Sequence, residues 1–141
     1  SVVTGPTGPA GSGGGSTTGS VINLYHNMGT LYFTSTNNTA LFGLPPINFQ
    51  ANIYSYIDLF VVINLDVADT VQFNCYDTTN FYTLQNISIV ANAGLNFFPI
   101  TFEFYPAGTI NITINAYTTT AMMSAGGSGY YYRFFVYQIK P

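Results

Sequence analysis

His26 is the only side chain in the 141-residue sequence whose ordinary pKa lies near neutrality, and Cys75 is the only thiol. A hydrolytic triad would need His26 beside a serine and one of the five acids. No nucleophile-elbow sequence is present, and residue types without the geometry do not make a catalyst. His26 therefore reads as a structural or surface histidine, and the chain as a non-enzyme that needs no cofactor. Cys75 shares the Val71 and Phe73 side of an alternating stretch, where a free cysteine acts as a small buried hydrophobe. One cysteine and one histidine are also too few for a zinc site.

Three of the five acids, Asp66, Asp69 and Asp77, frame one strand and its turns. Asp66-Val67-Ala68-Asp69 is the one candidate calcium loop, but it lacks the Asp-x-Asp-x-Asp-Gly pattern; turn capping by the same carboxylates is the alternative. Exposed tyrosine beside asparagine is sugar-platform chemistry, and the segments Tyr76 to Tyr82 and Ala116 to Met123 hold both types. Asn37, Asn86 and Asn111 each open a glycosylation triplet. Arg133, the only arginine, stands among rings on which a planar guanidinium can stack, or from which it can reach a carboxylate such as Glu103 across a subunit boundary.

Composition narrows the classes. Hydrophobic residues make up 48% of the chain and charged residues 5%, with 12 Phe and 12 Tyr, so the chain is neither a charged disordered segment nor a phosphate-reading surface. The best apolar run, Leu59 to Ile63, is bracketed by Asp58 and Asn64 and is too short for a membrane-spanning helix. A soluble monomer normally spreads mixed charges over its surface. Their near absence implies a surface covered by neighbouring copies, or one that works outside the cell or on a particle.

The elements that carry these residues divide near Ser20. Residues 1–20 hold seven of the 14 glycines and no aromatic residue. Gly5, Gly8, Gly11 and Gly14 recur every third position, with Pro6 and Pro9 following the first two, which is the period of a collagen-like stem. A flexible Gly/Ser linker is the other reading of the same segment. Residues 21–141 form one domain of period two. Ile110, Ile112, Ile114 and Ala116 alternate with polar residues, as do Val71, Phe73 and Cys75, and Ile100, Phe102 and Phe104; Leu59, Val61, Ile63 and Leu65 form a further row. Strands are expected near 21–25, 29–35, 48–54, 56–65, 70–76, 82–90, 97–105, 109–118 and 130–139. Nine short strands separated by turn residues predict an all-β fold, a single jelly-roll β-sandwich.

In the last strand, Tyr130-Tyr131-Tyr132-Arg133-Phe134-Phe135-Val136-Tyr137, both faces are apolar. One face meets the domain core. The other meets a second chain, or a loop of its own domain.

A short Gly-X-Y stem, Gly5 to Gly11, leading through a linker to an all-β domain that closes on an aromatic strand resembles the collagen-stalked proteins with heads of the tumour-necrosis-factor and complement C1q fold, as in spikes of tailless bacterial viruses and fibres on spores. The stem here is far shorter than the family's stalks. The resemblance implies a homotrimer whose threefold axis is lined by Tyr130, Tyr132, Phe134 and Val136, or by their neighbours Tyr131, Arg133, Phe135 and Tyr137. It further implies a spike or fibre head displayed on a virion, spore or cell exterior, contacting a host receptor or glycan. A capsid or filament subunit whose N-terminal arm docks on a neighbour is the alternative function.

Overall fold

The computed structural model describes residues 19–35, 37–106 and 108–141, so the expected stem lies outside the described residues. Twelve strands form: β1 (Val21–Thr30), β2 (Phe33–Ser35), β3 (Asn38–Gly43), β4 (Ile47–Asn48), β5 (Ser55–Leu65), β6 (Asp69–Asp77), β7 (Tyr82–Ala91), β8 (Gly94–Phe104), β9 (Thr109–Ile110), β10 (Ile112–Tyr117), β11 (Met123–Ala125) and β12 (Tyr131–Ile139). No helix among the described residues is long and apolar enough to cross a membrane.

The first sheet runs β1-β12-β5-β8, with β11 and β2 extending it past the end of β12, and the second runs β3-β10-β6-β7. β4 and β9 make a small ribbon. Counting the eight main strands in chain order, the sheets read first-eighth-third-sixth and second-seventh-fourth-fifth, all antiparallel. That order is two Greek keys wound into a jelly roll, as the period-two rows predict.

Those rows face each other across the sandwich. Ile57, Leu59, Val61, Ile63 and Leu65 of β5 and Phe98, Ile100, Phe102 and Phe104 of β8 are buried with Val71, Phe73 and Cys75 of β6 and Ile110 to Ala116 of the β9–β10 run. Phe73 meets Phe98 edge-on at 5.2 Å. Burial, with Asp77 nearby, pushes the Cys75 thiol well above its ordinary pKa, so it stays protonated and unreactive.

The expected strand at 48–54 does not form. The fully buried Gln138 of β12 takes the place of a partner strand: its Oε1 accepts the Gln50 N–H at 3.0 Å and its Nε2 donates to the Gln50 carbonyl at 2.9 Å. The backbone then turns at Asn52, with φ of 60°. Nor does Gly29 divide the first strand from the next, because β1 runs through it. Gly29 is opposite Tyr132, and a Cβ there would meet that hydroxyl at 3.0 Å, so the glycine permits a close approach and makes no turn. β3 and β11 were not expected; β3 has a single fully buried side chain, Phe42, and β11 spans three residues, too little for periodicity to register.

Asp69 ties the two sheets' turns together. One oxygen accepts the N–H groups of Thr119, Thr120 and Ala121 at 2.8 to 3.0 Å, and the other accepts the Thr119 hydroxyl at 2.6 Å and the Thr70 N–H at 2.7 Å. These bonds, led by the Ala121 amide, hold its carboxyl well below the usual carboxylate range. Asp66 accepts the Met122 N–H at 2.7 Å. Both carboxylates cap this loop, as the capping reading of the sequence has it, Asp69 accepting several donors and Asp66 one. Among the described residues no three His, Cys, Asp or Glu side chains group to hold a metal. Asp69→Asn is expected to lower the melting midpoint by several degrees. Because the folded-state pKa is depressed, the charge's contribution is complete above the ordinary carboxylate pKa and drains away below it. The gap between wild type and variant should therefore narrow as melts are taken from about pH 5 to about pH 2.

Candidate functional site

The outward faces of the two sheets differ in kind. Across β10, β6 and β7 the second sheet presents Thr70, Gln72, Asn74, Tyr76, Thr113, Asn115 and Ser88, polar and uncharged, with one exposed aliphatic side chain, Val90, beside Thr70. The first sheet presents rings and charges. Register places Arg133 between Met28 and Phe60, Phe135 between His26 and Asp58, and Tyr137 between Asn23 and Tyr56, with Phe97, Pro99, Thr101 and Glu103 on β8 beyond.

One half of this face is apolar. The Arg133 guanidinium carbon stands 5.5 Å over the Phe60 ring, which also meets Tyr131 at 5.7 Å and Phe97 at 6.3 Å. His26 stacks on Phe135 at 6.1 Å, and among the described residues its side chain makes no hydrogen bond to a serine or acid. Val62, on the outward parity of β5, is fully buried yet outside the core cluster. The other half is a hydrogen-bonded network. Asp58 accepts the Thr101 hydroxyl at 3.0 Å and the Tyr137 hydroxyl at 3.1 Å; Glu103 accepts the Tyr56 hydroxyl at 3.0 Å. Tyr56 and Tyr137 stack at 5.3 Å, and partial desolvation plus the carboxylates raises both phenol pKa values, keeping them protonated donors. A depression of about 330 Å³ opens where the halves meet, between Asp58, Phe60, Pro99, Thr101, Arg133 and Phe135.

Charge sorts the same way. Asp66, Asp69 and Asp77 are consumed in turns; Asp77 is fully buried and accepts from the Thr79 and Asn80 amides and the Asn80 side chain at 2.8 to 2.9 Å. Of the other four charged residues, Asp58, Glu103 and Arg133 lie on the first sheet's outer face, and Lys140 follows the end of β12.

The eight terminal-strand residues therefore split by parity. Tyr131, Arg133, Phe135 and Tyr137 face outward. Phe134 and Val136 are corrected to core positions: they point between the sheets and cannot line an axis. Tyr130 and Tyr132 pack half-buried against that core, Tyr132 on Phe42 at 4.5 Å. Asn37, Asn86 and Asn111 are exposed. Sequence reasoning missed Tyr56, Asp58, Phe97 and Met28 as members of this face, since they lie on three other strands; the outward apolar parity of Phe60 and Val62 was the available signal. Of the two tyrosine segments, the first ends in a rigid turn that holds Phe81 at 78% exposure with φ of 60°, and the second is the loop clamped by Asp66 and Asp69.

The chain is thus a jelly-roll protein with one largely polar sheet face and one aromatic face that carries Asp58, Glu103 and Arg133. No protein-family model matches the sequence, and no curated protein does. Among solved structures it is similar to the VP2 subviral particle protein of infectious bursal disease virus, at 13% identity over 84% of this chain and 37% of that one, with a TM-score of 0.48. It is also similar to the C-terminal carbohydrate-binding module of family 6 from LamC of Zobellia galactanivorans, at 13% identity over 77% of this chain and 99% of that one, with a TM-score of 0.41. A module of the same kind from Cellvibrio mixtus lichenase 5A, solved with cellotriose, gives 14% identity over 84% and 98%, with a TM-score of 0.42. The chain spans little more than a third of VP2 and nearly the whole of each module.

Proposed function

We propose that this chain is a non-enzymatic structural and recognition protein: a homotrimeric head of the tumour-necrosis-factor and C1q kind, carried on the collagen-like segment of residues 1–20 and displayed on the exterior of a virion, spore or cell. The observation that carries the reading is the outer face of the first sheet. Rings from four strands gather there with Asp58, Glu103 and Arg133, charges of both signs in a chain that has only seven charged residues.

Such a face costs free energy in water, and covering it with copies of the chain removes that cost. Arg133 can lie over rings in one copy and reach Asp58 or Glu103 of the next, which fixes register more than it adds affinity. A stem with glycine at every third position winds as three strands, which selects threefold closure. The uncharged second sheet then forms the outside, where loops meet a receptor.

Size-exclusion chromatography with light scattering tests this on the full chain. The expected mass is three chains. An open polymer or very large shell would assign the chain to the capsid or filament reading instead, and a stable monomer would overturn both.

A further inference from the structure

Tyr54 and Tyr105 flank the end of the β5–β8 pair, their ring centroids 4.3 Å apart and their planes tilted by 53°. They are 48% and 51% exposed. Beside them Asn52 holds φ of 60°, its N–H donating to the Pro106 carbonyl at 3.2 Å, and among the described residues its side-chain amide has no hydrogen-bond partner. Of the other positive-φ positions, Phe81 sits in the turn between β6 and β7, and Gly19, Gly94, Gly108, Gly127 and Gly129 are glycine, the residue that takes this conformation without strain. At position 52 the chain keeps a side chain where the backbone alone would favour none. The amide, the two rings and Tyr56 line a cleft of about 150 Å³, the size that accepts one six-membered ring.

We propose that this cleft binds a neutral pyranose unit of a glycan. A pyranose has an apolar C–H face and an edge of hydroxyls, the same division as phenol rings beside an amide that can both donate and accept. The Tyr56 hydroxyl is committed to Glu103 and Lys140 also lines the cleft, so the site stands beside one charge of each sign, which favours a neutral sugar over an ionised one. Partial desolvation and the neighbouring Tyr54 raise the Tyr105 phenol's pKa, leaving it a protonated donor. With one ring stacked and few hydrogen bonds, affinity falls in the weak range typical of single-unit recognition. The cleft lies at the end of the first sheet's outer face, so the proposal requires that the contact proposed above cover the half around Phe60, Arg133 and Phe135 and leave this end open.

The test is calorimetric titration of the full chain with neutral hexasaccharides of glucose, mannose, galactose and N-acetylglucosamine, with heparin as the anionic control. The expected result is binding of at least one neutral saccharide, weakened about tenfold by Asn52→Gly and by Tyr105→Ala, since one lost hydrogen bond or stacking contact is worth about that factor. Asn52→Gly should hold or raise the melting midpoint, which separates lost recognition from lost fold. No neutral saccharide bound at millimolar concentration, heparin bound alone, or binding unchanged in both variants would each overturn the proposal.

Discussion

Phe135→Asp is expected to convert the assembled protein into folded monomers. Phe135 lies 45% exposed at the centre of the first sheet's outer face, stacked on His26 and directly opposite Asp58. Covering that ring in an interface contributes part of the roughly 1.5–3 kcal/mol that full burial of a phenylalanine is worth. The variant forfeits this and sets a second carboxylate against Asp58, where like charges face each other across the strand pair. Loss at a central aromatic anchor weakens a contact by about 2 kcal/mol or more, roughly thirtyfold in affinity, and every contact in a closed ring carries the lesion. Light scattering should read one chain mass while circular dichroism keeps the β-sheet spectrum. Phe135→Ser, which adds no charge, should also dissociate; a trimer retained by both variants would remove this face from the interface.

Phe134→Asp, one residue earlier, is expected to unfold the domain. Phe134 is 3% exposed and packs among the rings of Phe42 at 5.4 Å, Tyr25 at 5.8 Å and Tyr132 at 5.8 Å. Removing a buried phenylalanine costs about 3–5 kcal/mol, and an unpaired carboxylate in its place adds about 1–3 kcal/mol or more of desolvation. The sum is comparable to the whole stability of a domain of this size, about 5–15 kcal/mol. The variant should show no cooperative melt, whereas Phe134→Leu should fold with a loss of about 1–2 kcal/mol. If Phe134→Asp melts like the wild type and loses only its assembly, the parity of β12 is the reverse of that described.

These two neighbours show where reading the sequence stops. Alternation settles a strand's parity only when one face is polar. In β10 the isoleucines alternate with threonine and asparagine, so Ile110, Ile112, Ile114 and Ala116 are legible as core, and all four are buried. In β12 aromatic residues fall on both parities, and no local feature says which of Phe134 and Phe135 faces inward. Partners decide it, since pairing with β1 on one side and β5 on the other sets the strand's face together with theirs. Strands too short for a period are set by their partners: β11 by the edge of β5, and β4 and β9 by pairing with each other. The turn at Asn52 is another such case: a glutamine 86 residues later in the chain occupies the ladder that segment was expected to join.

Residue types alone determined an all-β sandwich, its inward rows and a scarcity of charge. All of that follows from period and composition, which are local quantities. The tertiary structure decided which face carries the scarcity's remainder. Asp58, Glu103 and Arg133 lie on three strands that are neighbours only through the crossovers of the jelly roll, with Tyr54 and Tyr105 meeting at the end of the β5–β8 pair. A site assembled across such connections has no spacing in the chain that betrays it, because hydrogen-bonded register, and not sequence separation, brings its members together.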